Sequence, residues 1–319
     1  MKNKVTKLTF SMIFYIFIFY GTYHIIKNLE YEVITKNLFI NPNTYLMIVL
    51  LFVIHEIINI YQNLKLYSFL QNNFNHLHFI IVYYASSLSK YVMFFKLGTP
   101  IRIGLLKSFL GIKVRNSISV KIIFVSTSIT STFLSGLFGL HLSASVNEQI
   151  PKINLILVPL ILLLLIIFSI GIFKIVSSAR LNKIWLIQRM ISFIEDLNSR
   201  IRKFSFKVIF FVSVGMIFRS ILMSLISFFI INEISTSYID FFSILAIISI
   251  SNIAAIFSLL PAGLGTKDIS LIYLLTLIGV EKELAIILLA YDRFIWNLVP
   301  ILIGAFAFLF LKQKTIENE

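Results

Sequence analysis

The sequence predicts an all-α polytopic membrane protein: about six full spans plus two broken-helix, re-entrant hairpins, arranged as an inverted repeat. Three observations predict it: a composition dominated by apolar residues, loops whose charge alternates in sign, and two matching Gly-Thr segments in opposite halves of the chain. Of 319 residues, 58% are hydrophobic and 13% charged, and the mean hydropathy is +0.94. A soluble domain needs far more charge than this.

Apolar runs at about 8–26, 43–60, 78–97, 117–140, 153–176, 207–231, 239–260 and 284–311 are each long enough to cross a bilayer. The first follows Lys2, Lys4 and Lys7 and has no small-residue cleavage site, so it reads as a retained span. Loops 1–7 and 174–207 are basic, whereas 232–240 holds Glu233 and Asp240 with no base. Cytoplasmic loops collect Lys and Arg, which places both basic segments, and with them both termini, inside the cell membrane. The net charge of +14 therefore faces the anionic inner leaflet and calls for no nucleic acid. Without cysteine there are no disulfides, thiolate metal sites or thiol nucleophiles. No cofactor and no metal are expected.

A simple crossing by 78–97 would put the basic stretch 96–121 outside. The conflict vanishes if about 78–112 enters and returns as a hairpin, with a second hairpin at about 239–280 ahead of Glu281 and Glu283. The chain then divides into a first repeat, 1–140, and a second, 141–319, the latter with an amphipathic interfacial helix at about 180–203. The segments "GTPIRIGLLKSFLGIKVRNS" from Gly98 and "GTKDISLIYLLTLIGVEKEL" from Gly265 share their punctuation. Thr99 and Thr266 suit N-caps, Pro100 a first turn, and Gly111 and Gly279 C-terminal caps. The charges that follow reverse in sign, as two copies inverted in the membrane require. Paired Gly/Pro-interrupted segments in the two halves point to a midplane transport site.

In the second segment Pro261, Gly263 and Gly265 let the chain turn, and the helix from about Thr266 presents N–H groups that favour an anion. Arg102, Lys267 and Asp268 fall near the two tips. Arg219, the pair Asp292-Arg293, Glu56 and Lys90 lie within apolar runs, where ionisable groups are costly and usually functional. Arg102, Arg219, Lys267 and Arg293 are the candidates to hold a phosphate, with Asp268 and Asp292 orienting them or carrying a coupling proton. Glu56 and Lys90 are a coupling or ion pair, and Asp292 with Arg219 is a second possible pair. Gly304, in the last run, reads as a helical position that tolerates alanine. His76 and His78 have metal-like spacing with no carboxylate nearby and read as a solvated loop.

The stretch "LLPAGLGTKDISLIYLLTLIGVEKELAIILLAYDR" resembles the transmembrane region of lysylphosphatidylglycerol synthases and its stand-alone flippase-like relatives. Pro261, Gly263, Gly265 and Asp268 match the first part of that family's signature, Gly279-Val280 the second and Arg293 the last. "KLGTPIRIGLLKSFLG" is similar to the family's earlier Arg-containing hairpin. Aspartate stands at 268 in place of the usual glutamate, and "FVSTSITST" at 124–132 in place of acidic residues. With the chain ending at Glu319, the resemblance implies the lipid-translocating half without the aminoacyl transferase.

Two functions of different class follow. The first is translocation of an anionic phospholipid, or a lipid- or polyprenyl-phosphate-linked saccharide, between leaflets. The alternative is a membrane-embedded transferase, or an accessory subunit, in lipid-linked glycan or envelope synthesis. The short outer loop 27–41 argues against the transferase. A homodimer, or envelope-synthesis partners, would suit either. The topology is directly testable, because the cysteine-free background makes single-cysteine labelling clean. Ser237→Cys should react with a membrane-impermeant maleimide from the outside only, and labelling from the inside alone overturns the two-hairpin arrangement.

Overall fold

The computed structural model describes residues 40–71, 74–92, 98–143, 195–197, 199–257 and 263–316. Every regular element among them is helical: α1 (Pro42–Leu70), α2 (His76–Val92), α3 (Gly98–Leu110), α4 (Val114–Leu142), α5 (Phe206–Ile234), α6 (Phe241–Phe257), α7 (Thr266–Leu277), α8 (Lys282–Arg293), a π-helical turn (Phe294–Leu298) and α9 (Val299–Ile316). Four stretches are long and apolar enough to cross a membrane: α1, α4, α5, and Lys282–Leu311, which runs from α8 into α9. The expected spans at 8–26 and 153–176 and most of the amphipathic stretch at 180–203 lie outside the described residues.

The order long helix, short pair, long helix occurs twice. α1 and α5 have 29 residues each; α2 and α6 have 17 each; α3 has 13 and α7 has 12. A positive-φ glycine closes each short pair. Gly111, with φ 63°, and Gly279, with φ 87°, take the left-handed conformation that only glycine adopts without strain. The amides of Ile112 and Val280 then reach back to Leu106 O at 3.3 Å and Leu275 O at 3.1 Å. Both of these C-terminal caps match the sequence reading. The N-terminal caps do not. Gly265 holds the cap position before α7, and Thr266 is its first helical residue. α3 already includes Gly98 and Thr99. The reason lies in Asp268, whose Oδ2 accepts from the Gly265 amide at 3.0 Å, so a reach-back from the third residue replaces a hydroxyl cap.

α1 and α5 cross antiparallel. At one end the Asn41 amide and Thr44 Oγ1 meet the Glu233 carboxylate, and at the other Phe69 stacks on Phe204 at 5.1 Å. The crossing splits the interior into two apolar cores. One gathers Ile40 and Ile48 with the end of α5, α6, α7 and α8. The other gathers Leu66 and Tyr67 with α2, α3, the start of α4 and the start of α5. Each short pair therefore sits in its own core. The outer face of α1 shows Leu46, Val49, Leu50, Val53 and Ile57, and α9 shows Leu302, Phe306, Leu309 and Phe310. Such apolar exposure belongs against lipid. At the start of α4, Arg115 contacts Asp196 at 2.9 Å, and Arg200 contacts the same carboxylate at 3.2 Å. The hydrogen bond from Arg200 first, and then the two guanidinium charges, hold that carboxyl below its usual range.

The long arm of each short pair packs on the last long helix of the other half. Small residues make this possible. A Cβ at Gly139 would lie 2.6 Å from Ala246 N, and one at Gly304 would lie 2.8 Å from Tyr84 O. The expectation that Gly304 tolerates alanine is therefore corrected: its neighbour is backbone, which has no side chain to move aside. Counted from the cap residues Lys113 and Glu281, Gly136 and Gly304 hold the same place in their helices, and Gly136 likewise abuts Ser249. Gly139→Ala and Gly304→Ala should each lower stability by about 1–3 kcal/mol through overpacking. Gly104→Ala, with nothing within 4 Å, should be neutral or stabilising by under about 1 kcal/mol. Thermal melting in detergent ranks the three.

Candidate functional site

The embedded charges do not converge on one point; they occupy three stations, the second and third of which are joined by polar side chains. At the first, α7 meets α8 through two crossed ion pairs. Lys267 Nζ lies 2.6 Å from Asp292 Oδ2, with both side chains buried. Arg293 donates through Nε and Nη2 to Asp268 Oδ1, the Nε contact being 2.9 Å. A cation-anion sequence on α7 thus faces an anion-cation sequence on α8, and all four charges are neutralised locally. Asp268 is held twice, by Arg293 on one oxygen and by the Gly265 amide on the other. Asp292 Oδ1 is buried with no hydrogen-bond partner among the described residues.

Gly263 and Gly265 shape the approach to this clamp. Their φ angles of 72° and 83° lie in the left-handed region, as the sequence reading required. A Cβ at Gly263 would also lie 2.6 Å from Ala255 Cβ. Pro261 lies outside the described residues. On the other side the π-helical turn Phe294–Leu298 directly follows Arg293. Such turns arise where the regular helical ladder is broken. Pro300 supplies the break: it has no N–H for the Trp296 carbonyl. The Asn297 side chain fills both roles. Its amide nitrogen donates to Trp296 O at 3.1 Å and its oxygen accepts from Arg293 Nη1 at 2.8 Å. Sequence reading took 284–311 as one regular span and missed the turn, although Asn297 and Pro300 were its signal.

Arg219 forms the second station. Its Nε donates to His55 Nε2 at 3.1 Å, which leaves Nδ1 as the protonated ring nitrogen, donating to Glu56 Oε1 at 3.1 Å. Glu56 Oε2 accepts from Tyr84 Oη at 3.1 Å and Asn59 Nδ2 at 3.3 Å. The His55 ring stands edge-on to Trp296 at 4.5 Å, next to the clamp. One of the two ion pairs suggested by the sequence, Asp292 with Arg219, is replaced by another. Asp292 pairs with Lys267 rather than Arg219, and Glu56 takes His55. The Lys90 side chain lies outside the described residues.

Arg102 forms the third station. It is 8% exposed, its guanidinium lies 4.1 Å from the centre of the Tyr83 ring, and Nη2 donates to Asn63 Oδ1 at 3.4 Å. Asn63 and Tyr83 both bond Asn59, so hydrogen bonds run unbroken from Arg219 to Arg102. Sequence reading singled out Glu56 on α1. It missed Asn59, Gln62 and Asn63, although polar residues recur there at helical spacing along an apolar span. Tyr83 and Tyr84 left no such signal.

Buried pairs make the clamp testable. Removing one partner strands the other charge and costs about 3–5 kcal/mol, whereas replacing both with apolar groups is often neutral or stabilising. Lys267→Met should therefore destabilise strongly, and the double variant Lys267→Met with Asp292→Leu should recover most of the loss. Thermal unfolding of the two single variants and the double variant measures the coupling. Additive losses would show that the pair is not coupled.

Apolar spans, buried ionic stations and glycine-punctuated short pairs together describe a multi-pass membrane protein. Comparison with individual curated proteins finds no match. Residues 40–304 match the family described as "Lysylphosphatidylglycerol synthase TM region", a stretch that takes in both short pairs and all three stations, and the chain belongs to that family.

Proposed function

We propose that this protein is a flippase-like transporter moving an anionic phospholipid, or a lipid-linked saccharide, between the leaflets of the cell membrane. Its two halves act as an inverted repeat, with α2–α3 and α6–α7 as re-entrant hairpins and both termini cytoplasmic. The antiparallel crossing of α1 and α5, the reciprocal packing of each long arm on the other half, and the sign of the loop charges support this reading. No step of it calls for an enzyme's chemistry, and the membrane is its working partner.

The observation that carries it is the crossed clamp. Lys267 and Arg293 are held by carboxylates that an incoming phosphate can replace. Exchanging a buried carboxylate for a phosphate trades one charge-assisted contact for another of similar strength. Such an exchange is near neutral in energy, as repeated turnover requires. The polar face of α1, from His55 through Asn59 to Asn63, then offers a headgroup a hydrogen-bonded route between Arg219 and Arg102, while acyl chains stay against the apolar exterior. Asp268 and Asp292 are released as the anion enters, which makes them the natural carriers of a coupling proton.

Gly265→Val tests the reading. The substitution forces a β-branched residue into a left-handed backbone and crowds the amide that Asp268 holds. Transfer of a fluorescent anionic phospholipid across proteoliposomes should fall at least about tenfold, with helix content by circular dichroism unchanged. Transfer at the unmodified rate overturns the proposal.

A further inference from the structure

The guanidinium of Arg293 is shared between two elements. Nε and Nη2 hold Asp268 on α7, and Nη1 donates to the Asn297 oxygen at 2.8 Å inside the π-helical turn. That turn also carries Trp296. Its ring stands 4.5 Å from His55 and 5.6 Å from Phe52, both on α1, and His55 is the acceptor for Arg219 on α5. Contacts therefore run without a gap from the clamp to the crossing of α1 and α5. Both flanks of the turn are fixed. Just ahead of Arg293, Asp292 is tied to Lys267; beyond the turn, Gly304 abuts the Tyr84 carbonyl, where a methyl group would not fit. Between them the Val299 amide reaches back five residues to Phe294 O. A one-residue change of register, to Ile295 O, would make the regular α-helical bond instead. Movement between the two fixed points has this turn to go into, and the turn has two discrete arrangements.

We infer that the π-helical turn is a two-position latch: whether Asp268 holds Arg293 decides how Trp296 packs on His55, and so how Arg219 is held at the crossing of the two halves. This rests on the transport reading only for the anion that opens the clamp. A guanidinium carries its donors in one rigid plane. Arg293 therefore cannot turn Nε and Nη2 toward a new anion without lifting Nη1 from Asn297. The Asn297 amide is then anchored at one end only, by the Trp296 carbonyl for which Pro300 has no N–H. With that anchor loosened, the turn can close in the other register, which carries the Trp296 ring around the helix axis and off His55. An edge-on pair of rings adds specific packing to simple burial. His55 is 3% exposed, so its ring shifts when the ring against it shifts. The clamp thus reaches a guanidinium on another helix through a bistable element, which is what coupling between separate sites requires.

The test labels the full chain with fluorotryptophan in a Trp185→Phe background, which leaves Trp296 as the sole tryptophan. Fluorine NMR then follows that ring in nanodiscs of phosphatidylcholine. Asp268→Asn should raise the population of a minor Trp296 resonance at least about threefold. Arg293→Lys keeps a cation for Asp268 but lacks the fork that reaches Asn297 as well, and should do the same. Ile269→Ala, exposed on α7 beside Asp268, should leave the spectrum unchanged. Asn297→Leu cuts the link, so adding Asp268→Asn to it should cause no further change. Thermal melting reads the far end. The losses from Asp268→Asn and Arg219→Gln should depart from additivity by at least about 2 °C, and should add once Asn297→Leu is present. An unchanged spectrum in both Asp268→Asn and Arg293→Lys overturns the inference. So does a shift that persists in full alongside Asn297→Leu, or additive melting in the chain that keeps Asn297. None of these readings involves transport. A chain that shows the coupling yet moves no lipid would overturn the transport reading and leave the latch standing, whereas transport without the coupling would remove the latch alone.

Discussion

The structure depends on the antiparallel crossing of α1 and α5, where Arg219 meets His55. These two residues occupy the same position in their respective 29-residue helices, so the contact sits where an axis relating the two halves would pass. A guanidinium at mid-span is costly in lipid, by several kcal/mol on insertion scales, and tolerable only when its donors are satisfied. His55 accepts from its Nε and Met216 Sδ from its Nη1, and Glu56, held in turn by Asn59 and Tyr84, backs His55. Their price is the loss of a continuous apolar core. The interior divides instead into two cores, one at each end of the crossing, and each holds one short pair and its glycine-capped return. Placing the polar layer at the centre leaves one apolar core at each end.

Backbone repeat and side-chain divergence serve different ends. Helix lengths, the left-handed caps at Gly111 and Gly279, and the close approaches at Gly136 and Gly304 recur because they set how the pieces pack. The charges do not recur. Pro100 and Ile101 stand where the second half has Lys267 and Asp268, so the first half cannot build the crossed clamp. It presents Arg102 and Lys121 to a cavity instead. On the proposed reading, two ends with the same packing and different chemistry suit a carrier that takes up a headgroup on one side and releases it on the other.

Much of this was legible in the residues, and the exceptions share a cause. Apolar runs of membrane length, the broken segments around Gly98 and Gly265, and the caps at Gly111 and Gly279 are local properties, and local properties are written in consecutive residues. Which acid meets which cation is not local. Asp292 could reach Arg219 or Lys267 depending on how α8 is rotated, and that rotation is set partly by the π-helical turn after Arg293. Gly304 looked replaceable because nothing in its own helix needs a glycine; the need arises from the Tyr84 carbonyl of α2. The polar stripe on α1 was readable as spacing, but its purpose became clear only once Arg219 and Arg102 stood at its two ends.

The clamp also answers why a charged, glycine-rich break stands inside an apolar stretch. Free N–H groups at the start of α7 would suit an anion, yet the Gly265 amide is already held by Asp268. The same carboxylate holds Arg293. An anion that displaces Asp268 must replace both bonds at once, one to a backbone amide and one to a guanidinium. A phosphate can do so, because it has several acceptor oxygens arranged in a tetrahedron, whereas a halide has a single centre. Displacing Asp268 also uncaps α7, a change worth about 1 kcal/mol in ordinary helices, and it frees Arg293 to move with the π-helical turn. On the proposed reading, ligand binding, helix capping and the geometry of the last span are coupled through one side chain. Its short length keeps that carboxylate close to its own helix, so it competes for the site without leaving it.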